Sequence, residues 1–254
     1  MMKVSFEVIG VMRGMGRLLG AATVCAGVLM QSGCAQTPVQ AQSAQRDAMA
    51  KAVSFDDVNA VRHYLAQGVD PNGRDVTGMP WLMLAARAKA DKVALLLIDN
   101  PKTDVDILDK TDENALMFAA INQDLPLVKA LIAKDAEVNK KGWTPLHYAA
   151  TSGDVDIINV LLDESAYVDA ASPNGTTPLM MAARGDKVDA VNALLRGGAD
   201  STLKNQLGLS AADFAKMNHN TDLAAALEAS ANELRTRRAQ QSTGASAATP
   251  ASGN

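Results

Sequence analysis

The chain has 254 residues and a formal net charge of −4, so it lacks the basic face that nucleic-acid binding demands. Aromatic residues make up only 4% of it while Ala and Leu abound, which suits closely packed short helices and argues against a β-sandwich, whose strands favour aromatic and β-branched side chains. Length alone sets no domain count, because a repeat protein grows by adding units rather than by thickening one core.

Lys3, Arg13 and Arg17 precede an apolar run from Leu18 to Met30 that ends in small residues, and residues 1–35 read as an export signal. At 13 residues the run is shorter than the span of about 20 that a bilayer requires, so no transmembrane span is expected in the mature chain. Met12 or Met15 could equally start a compact signal. Two kinds of processing compete. Cleavage after Ala35 would use Gly33 and Ala35 as its small residues, with a later cut after Ala41 also compatible. Gln31-Ser32-Gly33-Cys34 instead resembles a bacterial lipoprotein box, with Gln31 where that box usually has Leu, and would place a lipid anchor on Cys34. Cys25 lies inside the signal and Cys34 at its edge, so the folded part carries no cysteine and no disulfide, which is compatible with an oxidising periplasm. Loss of residues 1–35 removes three cations and Glu7 and takes the net charge to −6.

Residues 36–45 are rich in Gln, Ala and Ser without a periodic apolar face and read as a linker; residues 235–254 read as a disordered tail for the same reason, with Arg235, Arg237 and Arg238 solvating its start. Residues 46–234 are repetitive. Gly142-Trp143-Thr144-Pro145-Leu146-His147-Tyr148-Ala149-Ala150 returns 33 residues later as Gly175-Thr176-Thr177-Pro178-Leu179-Met180-Met181-Ala182-Ala183, and a degraded copy follows from Gly208. Aligning on the motif Leu gives Met49, Leu82, Leu116, Leu146, Leu179 and Ala212, hence six units over about 45–77, 78–111, 112–141, 142–174, 175–207 and 208–234. Unit two gains one residue near Pro101, and unit three loses three near Lys140.

Each unit reads as two antiparallel helices. In unit four Thr144 caps the first, Pro145 takes its first position where the missing N–H costs nothing, and Gly153 ends it. Val155, Ile157, Ile158, Leu161 and Leu162 then form an apolar stripe at helical spacing. Pro126 falls in the first turn of its helix, where proline is tolerated. Asp56 and Asp57, and Asn218 to Asn220, supply polar starts to the second helices of units one and six, which look like caps. Gly68-Val69-Asp70, Ala136-Glu137-Val138-Asn139, Ala166-Tyr167-Val168-Asp169 and Gly198-Ala199-Asp200 fill the loops that follow.

These motifs resemble ankyrin repeats over about residues 45–234, most closely in units four and five. Elsewhere Trp81 replaces the usual Pro, Asp112 the usual Gly and Asn114-Ala115 the usual Thr-Pro. The resemblance implies an all-α solenoid of about six helix-turn-helix units with short loop fingers, in which first helices and loop tips line a concave protein-binding face.

Little in the chain points to catalysis. His147 occupies the Thr-Pro-Leu-His position, where the resemblance implies that it braces loop backbone; His63 and His219 fall in the two end units, and no HExxH, cysteine cluster or paired metal-ligand spacing exists. Gly14-Met15-Gly16 with Gly20 has the wrong spacing for a dinucleotide fingerprint and lies in the signal. Asp70, Asp106, Asp169 and Asp200 recur at loop positions as turn formers. No cofactor, no metal and no enzymatic activity is expected.

What remains is the displayed surface. Trp143 follows the motif Gly at a variable position and is of a type that dominates interface energies. Met79, Glu113 and Thr176 are its equivalents in other units, and Arg87, Ile121, Thr151 and Arg184 recur at the exposed ends of the first helices. Their mixed chemistry suits another protein as partner better than a membrane or a repetitive polymer. The expected function is a non-catalytic protein-binding scaffold in the bacterial cell envelope. An immunity-type or regulatory inhibitor of an envelope or secreted enzyme is the alternative, and a hydrolase with an unrecognised site is a remote one.

Overall fold

In a computed structural model that describes residues 38–246, six helix pairs follow one another and the described residues contain no strand. The first helices are α1 (Pro38–Ser54), α3 (Trp81–Ala88), α5 (Ala115–Ile121), α7 (Pro145–Ser152), α9 (Pro178–Arg184) and α11 (Ala211–Met217). The second helices are α2 (Val58–Ala66), α4 (Asp91–Ile98), α6 (Leu125–Ile132), α8 (Val155–Asp163), α10 (Val188–Arg196) and α12 (Thr221–Ser246). First helices pack in one row from α1 to α11, and second helices pack in a parallel row from α2 to α10. The protein is therefore an all-α repeat solenoid, as the period implies.

The motif residues make this stacking possible. Leu82, Leu116, Leu146 and Leu179 are buried at the centre of their units, and the pairs Ala85/Ala86, Ala119/Ala120, Ala149/Ala150 and Ala182/Ala183 are buried between first helices. Their small side chains let neighbouring backbones approach. Asp57, Asp124, Asp154 and Asn220 each accept a backbone N–H near 3.0 Å in the first turn of a second helix, which satisfies one of its orphan donors.

Where the motif is broken, other residues restore its work. Asn114 Oδ1 accepts the Met117 N–H at 3.1 Å and starts α5 without the Thr-Pro pair. Trp81 is buried in place of the motif Pro and donates from Nε1 to the Asp70 carbonyl at 3.2 Å, filling the space beneath the first finger. Gly73 accommodates that ring: a Cβ there would lie 2.6 Å from Nε1.

First helices are also braced to one another through equivalent positions. Asn122 Nδ2 donates to the Ala86 carbonyl at 2.9 Å, Ser152 Oγ to that of Ala120 at 3.1 Å, and Asn218 Nδ2 to that of Arg184 at 2.6 Å. Each brace adds a hydrogen bond to a carbonyl in the last turn of the preceding helix, where intrahelical donors run out. In unit five the equivalent residue is Gly185, which has no side chain to reach α7.

The loop acids separate into two positions, not the single set read from the sequence. Asp70, Asp104 and Asp200 each accept the N–H two residues ahead, closing turns within a loop. Asn72, Asp106, Asn139 and Asp169 instead accept an N–H from the next unit, those of Asp104, Glu137, Tyr167 and Asp200, at 2.7–2.9 Å. One set shapes each loop and the other couples loops in series.

The ends extend further as helix than the sequence suggested. Residues 38–45, read as linker, are the start of α1, whose Met49 and Val53 are fully buried. At the other end α12 runs on to Ser246 through residues read as tail. Arg237 pairs with Glu233 at 2.6 Å one turn back, and Arg238 reaches Asp200 at 2.6 Å and Thr202 at 3.2 Å, so this segment is tied to the loop of unit five. An apolar face was not needed, because helix-forming Ala, Arg, Glu and Gln with such pairs suffice. The export signal and Cys34 lie outside the described residues.

Candidate functional site

The open face of the first helices carries the site. Two positions after each motif Leu stand Leu84, Phe118, Tyr148, Met181 and Phe214, one side chain per unit and none small. Leu84 is buried, and the other four are half-buried. Together they make an apolar stripe across five units. One helical turn further on, Arg87, Ile121, Thr151 and Arg184 border the same stripe, since residues three apart share a helix face.

Near the middle of the stripe lies an apolar cavity of about 220 Å3, lined by Ile121, Trp143, His147, Tyr148, Thr151 and Met181. Three residues singled out in the sequence, Ile121, Trp143 and Thr151, thus come from units three and four to one place. The Trp143 ring stands edge-on to the His147 ring, centroids 5.1 Å apart at 76°.

His147 forms the floor and is fully buried. Its Nδ1 accepts the Thr144 N–H at 3.2 Å and lies 2.9 Å from the Thr144 hydroxyl, closing the start of α7. An Nδ1 that accepts an N–H carries no proton, so Nε2 holds it and donates to the Thr176 carbonyl at 2.9 Å. Burial pushes the imidazole pKa down to about 4, outweighing the hydrogen bond to Thr176 that favours the charged form. The neutral ring is a strut between units four and five.

Tyr148 is fixed from the other side. Its hydroxyl donates to Glu113 Oε1, while Glu113 Oε2 accepts from the Thr111 hydroxyl at 3.0 Å. Burial, and then the Glu113 carboxylate, push the phenol pKa well up, so the phenol stays protonated. Glu113 therefore acts from the finger as a support for the stripe.

Two sequence candidates are not at the surface. Met79 is 8% exposed and Thr176 4% exposed; the Thr176 N–H donates to Ser172 Oγ at 3.0 Å and its carbonyl accepts from His147 Nε2 at 2.9 Å. They hold loop structure and offer a partner nothing. Arg87 and Arg184 are exposed and flank the stripe from units two and five. The residues missed in the sequence are Phe118, Tyr148 and Met181; their signal was an unbroken series of large apolar side chains beside the motif Leu.

A second hollow, of about 600 Å3, opens between the fingers where unit three has lost its three residues. Leu108 and Asp112 form one wall, Ala171 to Pro173 the other, and Lys140 and Lys141 the base. Lys140 Nζ donates to the Asp112 carbonyl at 2.6 Å.

Among the described residues no group of three His, Cys, Asp or Glu is placed to hold a metal ion, and no helix is long and apolar enough to cross a membrane. His63 in α2 pairs with Gln67 just beyond that helix, and His219 sits in the turn before α12, so the three histidines do not meet.

Residues 82–172 match the family model for ankyrin repeats in three copies, and residues 174–206 match that for a single ankyrin repeat. Among curated proteins, an ankyrin repeat and SAM domain-containing protein of Rattus norvegicus is 34% identical over 83 residues, 31% of this chain and 9% of that protein. A transient receptor potential cation channel of Homo sapiens is 26% identical over 114 residues, 44% of this chain and 10% of the channel. A palmitoyltransferase of Lachancea kluyveri is 28% identical over 121 residues, 45% of this chain and 16% of that protein. The chain thus matches only a small part of each of these relatives.

Proposed function

Because the chain belongs to the ankyrin-repeat family, whose solenoids generally serve as non-catalytic scaffolds for binding other proteins, we propose that it binds a protein partner in the bacterial cell envelope through the open face of units two to five. The observation that carries this reading is the convergence of Ile121, Trp143 and Thr151 on one apolar cavity, with the His147 and Tyr148 rings held in place by hydrogen bonds to Thr176 and Glu113. A preformed pocket with a Trp at its edge is the form that interface anchors take.

The envelope setting rests on the signal-like residues 1–35 and on the absence of cysteine from the repeats. The mature chain is then periplasmic, with a lipid anchor if Cys34 is the cleavage point, and mass spectrometry of the purified protein distinguishes the two forms. Binding is tested by capture. Immobilised protein should recover a partner from periplasmic extract, and Trp143→Ala combined with Arg184→Ala should abolish that recovery. Unchanged recovery of every partner would place the binding face elsewhere.

A further inference from the structure

The spacing of the stripe carries information about what it binds. Neighbouring first helices are packed side by side, which sets their axes about 8–10 Å apart. A ligand running across them therefore meets an equivalent apolar side chain every 8–10 Å. A polyproline-II helix rises about 3.1 Å per residue with three residues per turn, so its side chains at every third position share a face and repeat every 9.3 Å or so. A β-strand repeats its face about every 6.7 Å, or about 13.4 Å on alternate repeats, and an α-helix about every 5.4 Å, or about 10.8 Å over two turns, so the polyproline-II period is the one that falls within the helix spacing.

Two further features agree with this. Polyproline-II ligands dock in aromatic-lined grooves, and of the nine aromatic residues in the chain Phe118, Trp143, Tyr148 and Phe214 lie along this one face. Arg87 and Arg184 are exposed at its edge on α3 and α9, and neither side chain has a partner among the described residues. Three helix spacings separate them, roughly 24–30 Å, or about nine residues of polyproline-II chain.

Resting on the protein-binding reading above, we propose that the partner presents a polyproline-II segment with an apolar residue at every third position and carboxylates about nine residues apart. The apolar residues seat between α5, α7 and α9, one of them in the Trp143 cavity, and the carboxylates pair with Arg87 and Arg184. Because each apolar contact lies on a different unit, the face measures the ligand's period as well as its hydrophobicity.

A synthetic decapeptide, Glu-Pro-Pro-Leu-Pro-Pro-Leu-Pro-Pro-Glu, tests this against the full-length mature protein by calorimetry and Trp emission at low salt. It should bind at least tenfold tighter than a peptide of the same composition with its two leucines adjacent, and at least tenfold tighter than an amphipathic helical peptide. Thr151→Arg, which fills the cavity mouth without removing core, should abolish binding. Arg184→Glu, a surface change that leaves folding alone, should weaken it several-fold and restore it for a peptide ending in Lys. Equal or tighter binding of the rearranged or helical peptide, indifference to Thr151→Arg, or self-association through this face would each overturn the proposal. If the decapeptide fails while capture of a partner still depends on Trp143, the polyproline-II assignment falls and the scaffold reading stands; if both fail, both fall.

Discussion

The strut formed by His147 makes stability depend on pH in a direction that can be worked out. In the unfolded chain this imidazole titrates near 6.5, whereas in the fold burial holds its pKa near 4. The unfolded state therefore takes up the proton first, and the contribution of the neutral ring is fully present above pH 6.5 and is lost as pH falls through about 4. A separation of this size corresponds to about 2 kcal/mol lost by pH 5 and about 3 kcal/mol below pH 4. The measurement is urea unfolding at pH 7.5 and pH 5, followed by Trp emission, on the parent and on His147→Gln. Carboxylates common to both proteins cancel in the comparison. At pH 7.5 the variant should be less stable by about 1 kcal/mol, from the lost His147 bonds to Thr144 and Thr176, since the Thr176 carbonyl keeps the Ser172 N–H at 3.0 Å. Between the two pH values the parent should then lose about 2 kcal/mol more than the variant. Equal losses would refute the buried neutral ring, and a larger loss in the variant would reverse the sign of the argument.

Two substitutions test how broken motif positions are repaired. Gly73→Ala would drive a Cβ to 2.6 Å from the Trp81 Nε1 and 3.0 Å from the Asp70 carbonyl, and should cost about 1–3 kcal/mol in a denaturation midpoint. Asn114→Ala removes the acceptor at the start of α5, with an expected loss of about 1 kcal/mol; no loss would mean that α5 is held by packing alone.

Much of the fold was legible because stacking imposes a period. Leu82, Leu116, Leu146 and Leu179 must recur for each unit to cover the next, so unit number and helix order could be read before any coordinate. The reach of α1 and α12 could not, because polar helix formers at a chain end look the same in a helix as in a tail until a contact such as that of Arg238 with Asp200 fixes them. At the site, Ile121, Trp143 and Thr151 were found through their equivalence between units. Met79 and Thr176 shared the position of Glu113 and Trp143 but not their exposure. Sequence equivalence fixes the backbone position and not the depth at which the side chain is buried.

Gly185 has one consequence for how the solenoid comes apart. Every other first helix from α5 onward holds the one before it through a side chain that stays bonded at any pH, namely Asn122, Ser152 or Asn218. Between units four and five that link is missing, and the joint relies on the His147 bond to the Thr176 carbonyl and on the loop bonds of Asp200 to Asp169 and of Gln206 to Pro173. The contact of α7 with α9 therefore lacks the side-chain tie that its neighbours have, and Gly185→Asn, which puts a donor back at that position, should raise the denaturant midpoint by delaying the parting of the two C-terminal units from the rest.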